Sequence, residues 1–218
     1  MAVQQVQYET LLSTCSDYRG ALALLRQHRP YLEVIPSMRR PQDSIVALPL
    51  PNIRTRQPVQ VSSRSGVPLT AAGAAVSLPC DVVLLMCDPE WKIKTGVELF
   101  ILIHRPQEDF SDLLMRWRQT QLLLDGGYEW FLPARHQHLL SEGADALRPL
   151  FVVFPQSPDR ILKGLQGAGL PTIVYAEPTE DLEPMPVQAL TDELHLDESE
   201  DFDLSELDDL GPSDQAND

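Results

Sequence analysis

Two apolar stretches in the middle of the chain decide the fold: residues 81–87, DVVLLMC, and residues 97–104, VELFILIH. Each has the length of a strand, and about nine residues join them. Runs that are apolar on both faces are typical of strands in the middle of a sheet, and a short connection favours antiparallel pairing. We therefore predict an antiparallel hairpin at the centre of a sheet.

The sequence on either side of this hairpin predicts helices. Residues 3–28 follow a helical pattern that is broken once, and residues 109–124 form an amphipathic helix that ends before Gly126-Gly127. In the second helix we expect Arg116 and Arg118 to lie off the apolar face. The remaining segments are strands at 31–35, 44–48, 57–63, 128–132, 149–155 and 171–176, and a helix at 158–167. This order predicts a mixed α+β fold, with a central mixed sheet and flanking helices.

The formal net charge of -15 is concentrated at one end of the chain. Residues 177–218 contain 16 Asp and Glu and no Lys or Arg, so the first 176 residues carry 17 basic and 16 acidic groups. Within residues 1–80, eight Arg face four acids. Because Arg suits phosphate contacts, this surplus is compatible with a nucleic-acid surface as well as with a solvated face. The candidate nucleic-acid contacts are Arg39, Arg40, Arg54, Arg56, Arg116 and Arg118.

The acidic segment 177–218 predicts a disordered tail, because it has too few apolar residues to offset the entropy of ordering. Apolar residues nevertheless punctuate the acids, and Leu204, Leu207 and Leu210 would lie on one side of a helix. Such segments dock as short helices into grooves. We therefore expect a protein partner to bind Phe202, Leu204, Leu207 and Leu210, while a solubilising tail and a tail that competes with DNA remain alternatives.

Several functional classes are disfavoured by composition. No stretch has the roughly 18 consecutive apolar residues of a membrane helix, and the first residues lack the pattern of a secretory signal. Three cysteines are too few for a disulfide scaffold, so we expect a reducing, cytoplasmic location and no membrane contact. Neither the cysteines nor His136 and His138 have the spacing of a metal site, so we expect no cofactor.

One pair of carboxylates suggests chemistry. Asp81 opens the first strand of the predicted hairpin, and Glu98 lies on the second. Two carboxylates on neighbouring strands can hold Mg²⁺, which activates water and offsets charge on a scissile phosphate. In the alternative interpretation, Asp81 caps its strand and Glu98 pairs with a neighbouring Arg.

At these residues the chain resembles the PD-(D/E)xK nuclease-like fold, and within it the replication-relaxation family of plasmid and mobile-element proteins. The resemblance covers about residues 79–176. The matching segments are Pro79-Cys80-Asp81 with the strand that follows, residues 97–100, the helix 113–124 with Tyr128 after it, and residues 150–154 with Asp159-Arg160. The resemblance implies a restriction-endonuclease-like core at 79–176. Composition sets it apart from an Arg-rich segment of helices and strands at 1–78 and from the acidic tail at 177–218.

The chain departs from the family pattern at two points. Cys80 interrupts the Pro-Asp pair, and Glu98-Leu99-Phe100 stands where an active enzyme carries an acid and a Lys two residues later. Arg116 or Arg118 would have to replace that Lys. The leading hypothesis is therefore a non-catalytic, DNA-associated interaction protein of replication, mobilisation or its regulation, with double-stranded DNA as its nucleic acid. The alternatives are a Mg²⁺-dependent nuclease using Asp81 and Glu98, and a protein adaptor that acts through its tail.

Overall fold

The central hairpin is present in the computed structural model, which describes residues 2–32, 41–60, 69–87, 95–136 and 147–176. The helices of this part of the chain are α1 Ala2–Thr14, α2 Tyr18–Leu25, α3 Arg29–Leu32, α4 Pro41–Ser44, α5 Phe110–Asp125 and α6 Asp159–Gly167. Its strands are β1 Ile45–Pro49, β2 Asn52–Thr55, β3 Val59–Gln60, β4 Leu69–Thr70, β5 Ala75–Ser77, β6 Val82–Cys87, β7 Thr95–Ile103, β8 Tyr128–Trp130, β9 Leu147–Val153 and β10 Thr172–Val174.

A five-stranded mixed sheet forms the centre of the molecule. Its strand order is β1-β6-β7-β9-β10, with β6 antiparallel to both neighbours and β7, β9 and β10 parallel. The chain crosses over through α5 between β7 and β9, and through α6 between β9 and β10. The mixed sheet with flanking helices that the sequence predicted is therefore confirmed.

Both faces of this sheet are buried, which explains why its strands read as continuous apolar runs. Leu84 and Ile101 face a core that includes Leu24 of α2. On the other face, Phe100 packs in a core with Trp117 of α5. A smaller antiparallel sheet, β5-β2-β8, adds its inner face to this second core. A two-stranded pair, β3-β4, completes the described strands.

The helix boundaries have local causes. Asp17 and Asp109 precede α2 and α5 with extended backbone, and their carboxylates accept hydrogen bonds from the amides of Tyr18 and Asp112. These contacts satisfy N–H groups that have no partner inside the helix. After α5, Gly127 has φ +76°, a backbone conformation that glycine adopts at little cost.

The structure corrects two predictions. Tyr31 and Leu32 belong to the short helix α3 rather than to a strand, because Pro30 has the fixed φ that suits a first helical turn. Arg116 lies on the buried face of α5, not off it. In addition, β1 comes from the Arg-rich segment 1–78 but pairs with β6, so this segment and residues 79–176 share one sheet. The predicted tail lies outside the described residues.

Candidate functional site

Asp81, just before β6, is the centre of a buried polar cluster. Its side chain is 0% exposed and both carboxylate oxygens are occupied. Oδ1 accepts hydrogen bonds from Tyr8 Oη at 2.8 Å and from Arg105 Nη2 and Nε at 2.7 and 3.2 Å. Oδ2 accepts from the amide of Ile103 at 2.7 Å and from Arg116 Nη2. These five donors use the roughly four lone pairs that a carboxylate offers.

The two arginines of this cluster balance two acids. Arg116 also donates through Nη1 to Glu108 at 3.0 Å and to the carbonyl oxygen of Ile103 at 3.1 Å, and through Nε to the carbonyl oxygen of Pro79 at 3.0 Å. Burial lowers the pKa of Arg105, but the charge and hydrogen bond of Asp81, together with the charges of Tyr8 and Glu108, outweigh it and leave that pKa above its ordinary value. Two positive and two negative groups therefore meet at one end of the central sheet.

Helix α1 covers the cluster. Burial, and then the negative charge of Asp81, raise the pKa of Tyr8 from its ordinary 10.0 to about 12, so the hydroxyl stays protonated and donates. One turn earlier, Gln4 Nε2 lies 3.0 Å from His104 Nδ1. The same nitrogen lies 2.9 Å from Ser157 Oγ, and His104 Nε2 lies 3.0 Å from the Glu108 carbonyl oxygen. The buried His104 ring thus links α1 to the turn before α6.

Glu98, the second predicted carboxylate, lies elsewhere. It is buried on β7 opposite Leu85, and it accepts hydrogen bonds from Tyr128 Oη and, at 2.9 Å, from Trp130 Nε1. The register of the hairpin places Asp81 beside Leu102, four residues farther along β7, which corresponds to roughly 13 Å of strand. The structure therefore does not bring Asp81 and Glu98 together.

This geometry limits what the two acids can do. A divalent cation on Asp81 would have to displace a guanidinium or the Ile103 amide from an oxygen, and Glu98 is too far away to complete its coordination. The described ranges also contain no group of three or more His, Cys, Asp or Glu that could hold a metal ion. In this structure, Asp81 acts as an acceptor that holds α1, α5 and β7 together.

Arg54 and Arg56 are brought together on the outer face of the β5-β2-β8 sheet. Both side chains are exposed. Arg54 lies on β2, and Arg56 lies two residues later, just after the strand ends. The Arg54 guanidinium lies over the ring of Phe131, with its Cζ 5.4 Å from the centroid. Arg56 Nε lies 3.5 Å from a carboxylate oxygen of Glu129. Among the residues that the structure describes, this face therefore carries two cations, one acid and one exposed aromatic ring.

Two of the other predicted site residues, Arg116 and Arg118, lie on α5. Arg118 is exposed on α5, beside a shallow groove of about 480 Å³ whose described lining is Ser111, Leu114, Met115, Arg118, Gln119 and Leu122. Arg116 is committed to the buried cluster. Arg39 and Arg40, and the tail residues Phe202, Leu204, Leu207 and Leu210, lie outside the described ranges.

Sequence reasoning missed the residues that surround Asp81, namely Tyr8, His104, Arg105, Glu108 and Ser157. A signal for Arg105 was available. An antiparallel hairpin places the end of its second strand beside the start of its first, so residues 103–105 had to lie close to Asp81. Tyr8 had no comparable signal, because its contact joins residues 73 positions apart through helix packing.

Comparison with protein-family models, with curated proteins and with solved structures finds no match to this chain. Within the described ranges, no helix is both long enough and apolar enough to cross a membrane.

Proposed function

We propose that this protein is a non-catalytic, DNA-associated interaction protein built on a nuclease-like α/β core. The observation that carries the proposal is the saturation of Asp81 by Tyr8, Ile103, Arg105 and Arg116. In a metal-dependent nuclease this carboxylate would bind the cation. Here two guanidinium groups supply the positive charge that a cation would otherwise provide.

The mixed sheet supports the nuclease-like part of the proposal. Asp81 lies just before β6, the second strand in the order of the sheet, and Glu98 lies on β7, the antiparallel neighbour of β6. These strand positions are the ones that the sequence resemblance assigns to Asp81 and Glu98, but the two carboxylates do not converge as a shared cation site would require. The missing features are the Lys of the family motif and an open site around Asp81.

Exposed arginines support the nucleic-acid part. Arg54 and Arg56 point away from the second core, on a face whose described acid is Glu129. Arg118 adds a further exposed cation on α5. Arginines with free planar faces and donors contact phosphates and bases, and such contacts release counterions from the nucleic acid.

Binding of the full chain to labelled oligonucleotides, followed by fluorescence anisotropy over a series of salt concentrations, tests this part. The proposal predicts a linear fall of log K with log salt, and a smaller slope in an Arg54→Ala, Arg56→Ala double variant. The matched control is Arg160→Ala with Lys163→Ala, which removes the same charge from the exposed side of α6. Absence of binding at low salt would remove the DNA part of the proposal.

Thermal unfolding with and without Mg²⁺ or Mn²⁺ tests the non-catalytic part. A cation that binds the folded state raises its stability in proportion to ln(1 + [L]/Kd). Residues 177–218 contain 16 carboxylates, to which the added cation can also bind. A nuclease-type metal site is therefore indicated only by a rise in unfolding temperature that the wild type shows and Glu98→Gln loses. The proposal predicts the same response to the cation in the wild type and in Glu98→Gln.

A further inference from the structure

The outer face of the β5-β2-β8 sheet carries one exposed aromatic ring. Phe131 is 44% exposed, and it is the one aromatic side chain among the exposed large apolar residues of the described ranges. The opposite face of this sheet is buried through Ile53 and Trp130. Phenylalanine is usually buried in folded proteins, so its exposure on the outer face of this sheet is an exception.

The register defines the neighbours of this ring. Asn52 lies between Ser77 and Phe131, since Asn52 pairs with Ser77 and its carbonyl oxygen accepts from the Phe131 amide. In the next row, Arg54 lies between Ala75 and Glu129. The residues beside Asn52 and Arg54 on β5, Ser77 and Ala75, are small, and both Arg54 and Phe131 are exposed.

Arg56 extends the face by one more row. Its amide donates to the carbonyl oxygen of Gly127 at 2.8 Å, and a Cβ at Gly127 would meet the Arg56 side chain at 3.5 Å. Its Nε lies 3.5 Å from Glu129, whose side chain is itself half exposed. Counting the described residues alone, two arginines against one glutamate give this face one net positive charge.

We propose that this face binds unpaired nucleic acid, with a base stacked against Phe131 and Arg54 and the backbone phosphate near Arg56. The inference rests on the proposed function and specifies the nucleic acid and its surface. Guanidinium and aromatic planes stack on bases that have left a duplex, and basic side chains beside them follow the phosphates. A duplex offers phosphates but no free base plane.

The chemistry of the face also argues against an acidic peptide as its occupant. A peptide carboxylate needs donors, which Arg54 and Arg56 supply, but it makes no use of an exposed ring with a stacked guanidinium. The test must therefore separate stacking from charge, and Arg54→Lys does so because it keeps the charge and loses the planar group.

The experiment measures binding of an unpaired oligothymidylate and of a duplex of the same length by the full chain, with anisotropy as the readout. We expect tighter binding of the unpaired strand. Phe131→Ala and Arg54→Ala should each weaken it about fivefold or more, the scale of one stacked base. Arg54→Lys should also weaken it. Leu122→Ala and Arg160→Ala are matched controls on α5 and α6, and should change it less than about twofold.

A crosslink gives the position directly. With 5-iodouracil in the oligonucleotide, irradiation should attach the base to the peptide that contains Phe131, and Arg54→Ala should reduce the yield.

If the wild type binds but Phe131→Ala and Arg54→Ala bind equally well, the surface is wrong while the proposed function stands. If polyglutamate displaces the oligonucleotide as effectively as free oligothymidylate does, charge alone accounts for binding and the proposed stacking of a base is wrong. If no oligonucleotide binds, the proposed function itself fails.

Discussion

Arg116, in the middle of α5, donates a hydrogen bond to Oδ2 of Asp81, 35 residues earlier in the chain and just before β6. Both side chains are buried, with 10% of Arg116 and 0% of Asp81 exposed. The pair joins the helix that crosses over the sheet to the hairpin at its centre. The residue that the family resemblance suggests as a metal ligand is therefore part of the framework of the fold.

Replacing Asp81 with Asn should destabilise the protein strongly. Arg105 and Arg116 would keep their positive charges without the carboxylate that neutralises them, and removal of one partner from a buried ion pair costs about 3–5 kcal/mol. The measurement is the free energy of unfolding from urea titration.

The matched control is Glu129→Gln, which breaks the exposed ion pair with Arg56 and should cost less than about 1 kcal/mol. Equal effects of the two substitutions would mean that Asp81 is solvated rather than enclosed by the arginines.

Stability should fall as pH rises above about 9. Burial raises the pKa of Cys15 from 9.0 to about 12, and burial with Asp81 raises the pKa of Tyr8 from 10.0 to about 12. Between the ordinary and the raised value, the unfolded chain has released a proton that the folded chain still holds. Folding then binds protons, and stability declines with pH.

Urea unfolding at intervals from about pH 8 to about pH 12 measures this decline. Tyr8→Phe and Cys15→Ala should each make it shallower. The decline should not vanish, since burial also raises the pKa of Cys80. An unchanged slope in both variants would show that neither group is coupled to folding.

Gly20→Ala should destabilise the junction of α1 and α2. A Cβ at Gly20 would lie 2.1 Å from the carbonyl oxygen of Thr14, so the two helices would have to move apart, at about 1–3 kcal/mol. Gly167→Ala is the control at the end of α6, where a Cβ would meet nothing within 4 Å. It should leave stability unchanged or raise it by up to about 1 kcal/mol. Thermal unfolding of both variants measures these effects. A neutral Gly20→Ala substitution would contradict the packing of α1 on α2.

Tyr128→Phe should cost about 1–3 kcal/mol, because it removes a donor from the buried carboxylate of Glu98. Tyr18→Phe is the control. It removes a hydroxyl that accepts an exposed hydrogen bond from Arg19 Nε at 3.1 Å, and it should change the free energy of unfolding by less than about 0.5 kcal/mol. The free energy of unfolding distinguishes the two. Similar values would indicate that water already satisfies Glu98.

The sequence predicted the hairpin and the crossover helices because strand length, continuous apolar character and glycine at the end of α5 are local signals. Arg116 was misassigned for a physical reason. The buried stripe of α5 runs through Leu113, Arg116, Trp117 and Thr120, a regular helical spacing. A charged residue in such a stripe is assigned to solvent unless its partner is known, and that partner, Asp81, lies on another element.

The candidate site was harder to predict than the sheet. The sequence placed Asp81 at the start of the first hairpin strand and Glu98 on the second, but it did not indicate that both are buried, and the register between the strands decides whether they meet. Asp81 lies opposite the end of the second strand and Glu98 lies about four residues before that point, a separation that the antiparallel connection of the hairpin already implied. The position of the Arg54 guanidinium over the Phe131 ring depends on the pairing of β2 with β8, two segments more than 70 residues apart.

The central claim is that Asp81 is a structural ion-pair partner and that this protein binds nucleic acid without cleaving it. The most direct test is incubation of the purified full chain with unpaired and duplex DNA in the presence of Mg²⁺ or Mn²⁺, beside Glu98→Gln as the matched variant, with the products separated by electrophoresis. We predict intact DNA, or the same trace of cleavage in both preparations. Cleavage that requires the cation and disappears in the folded Glu98→Gln variant would contradict the claim.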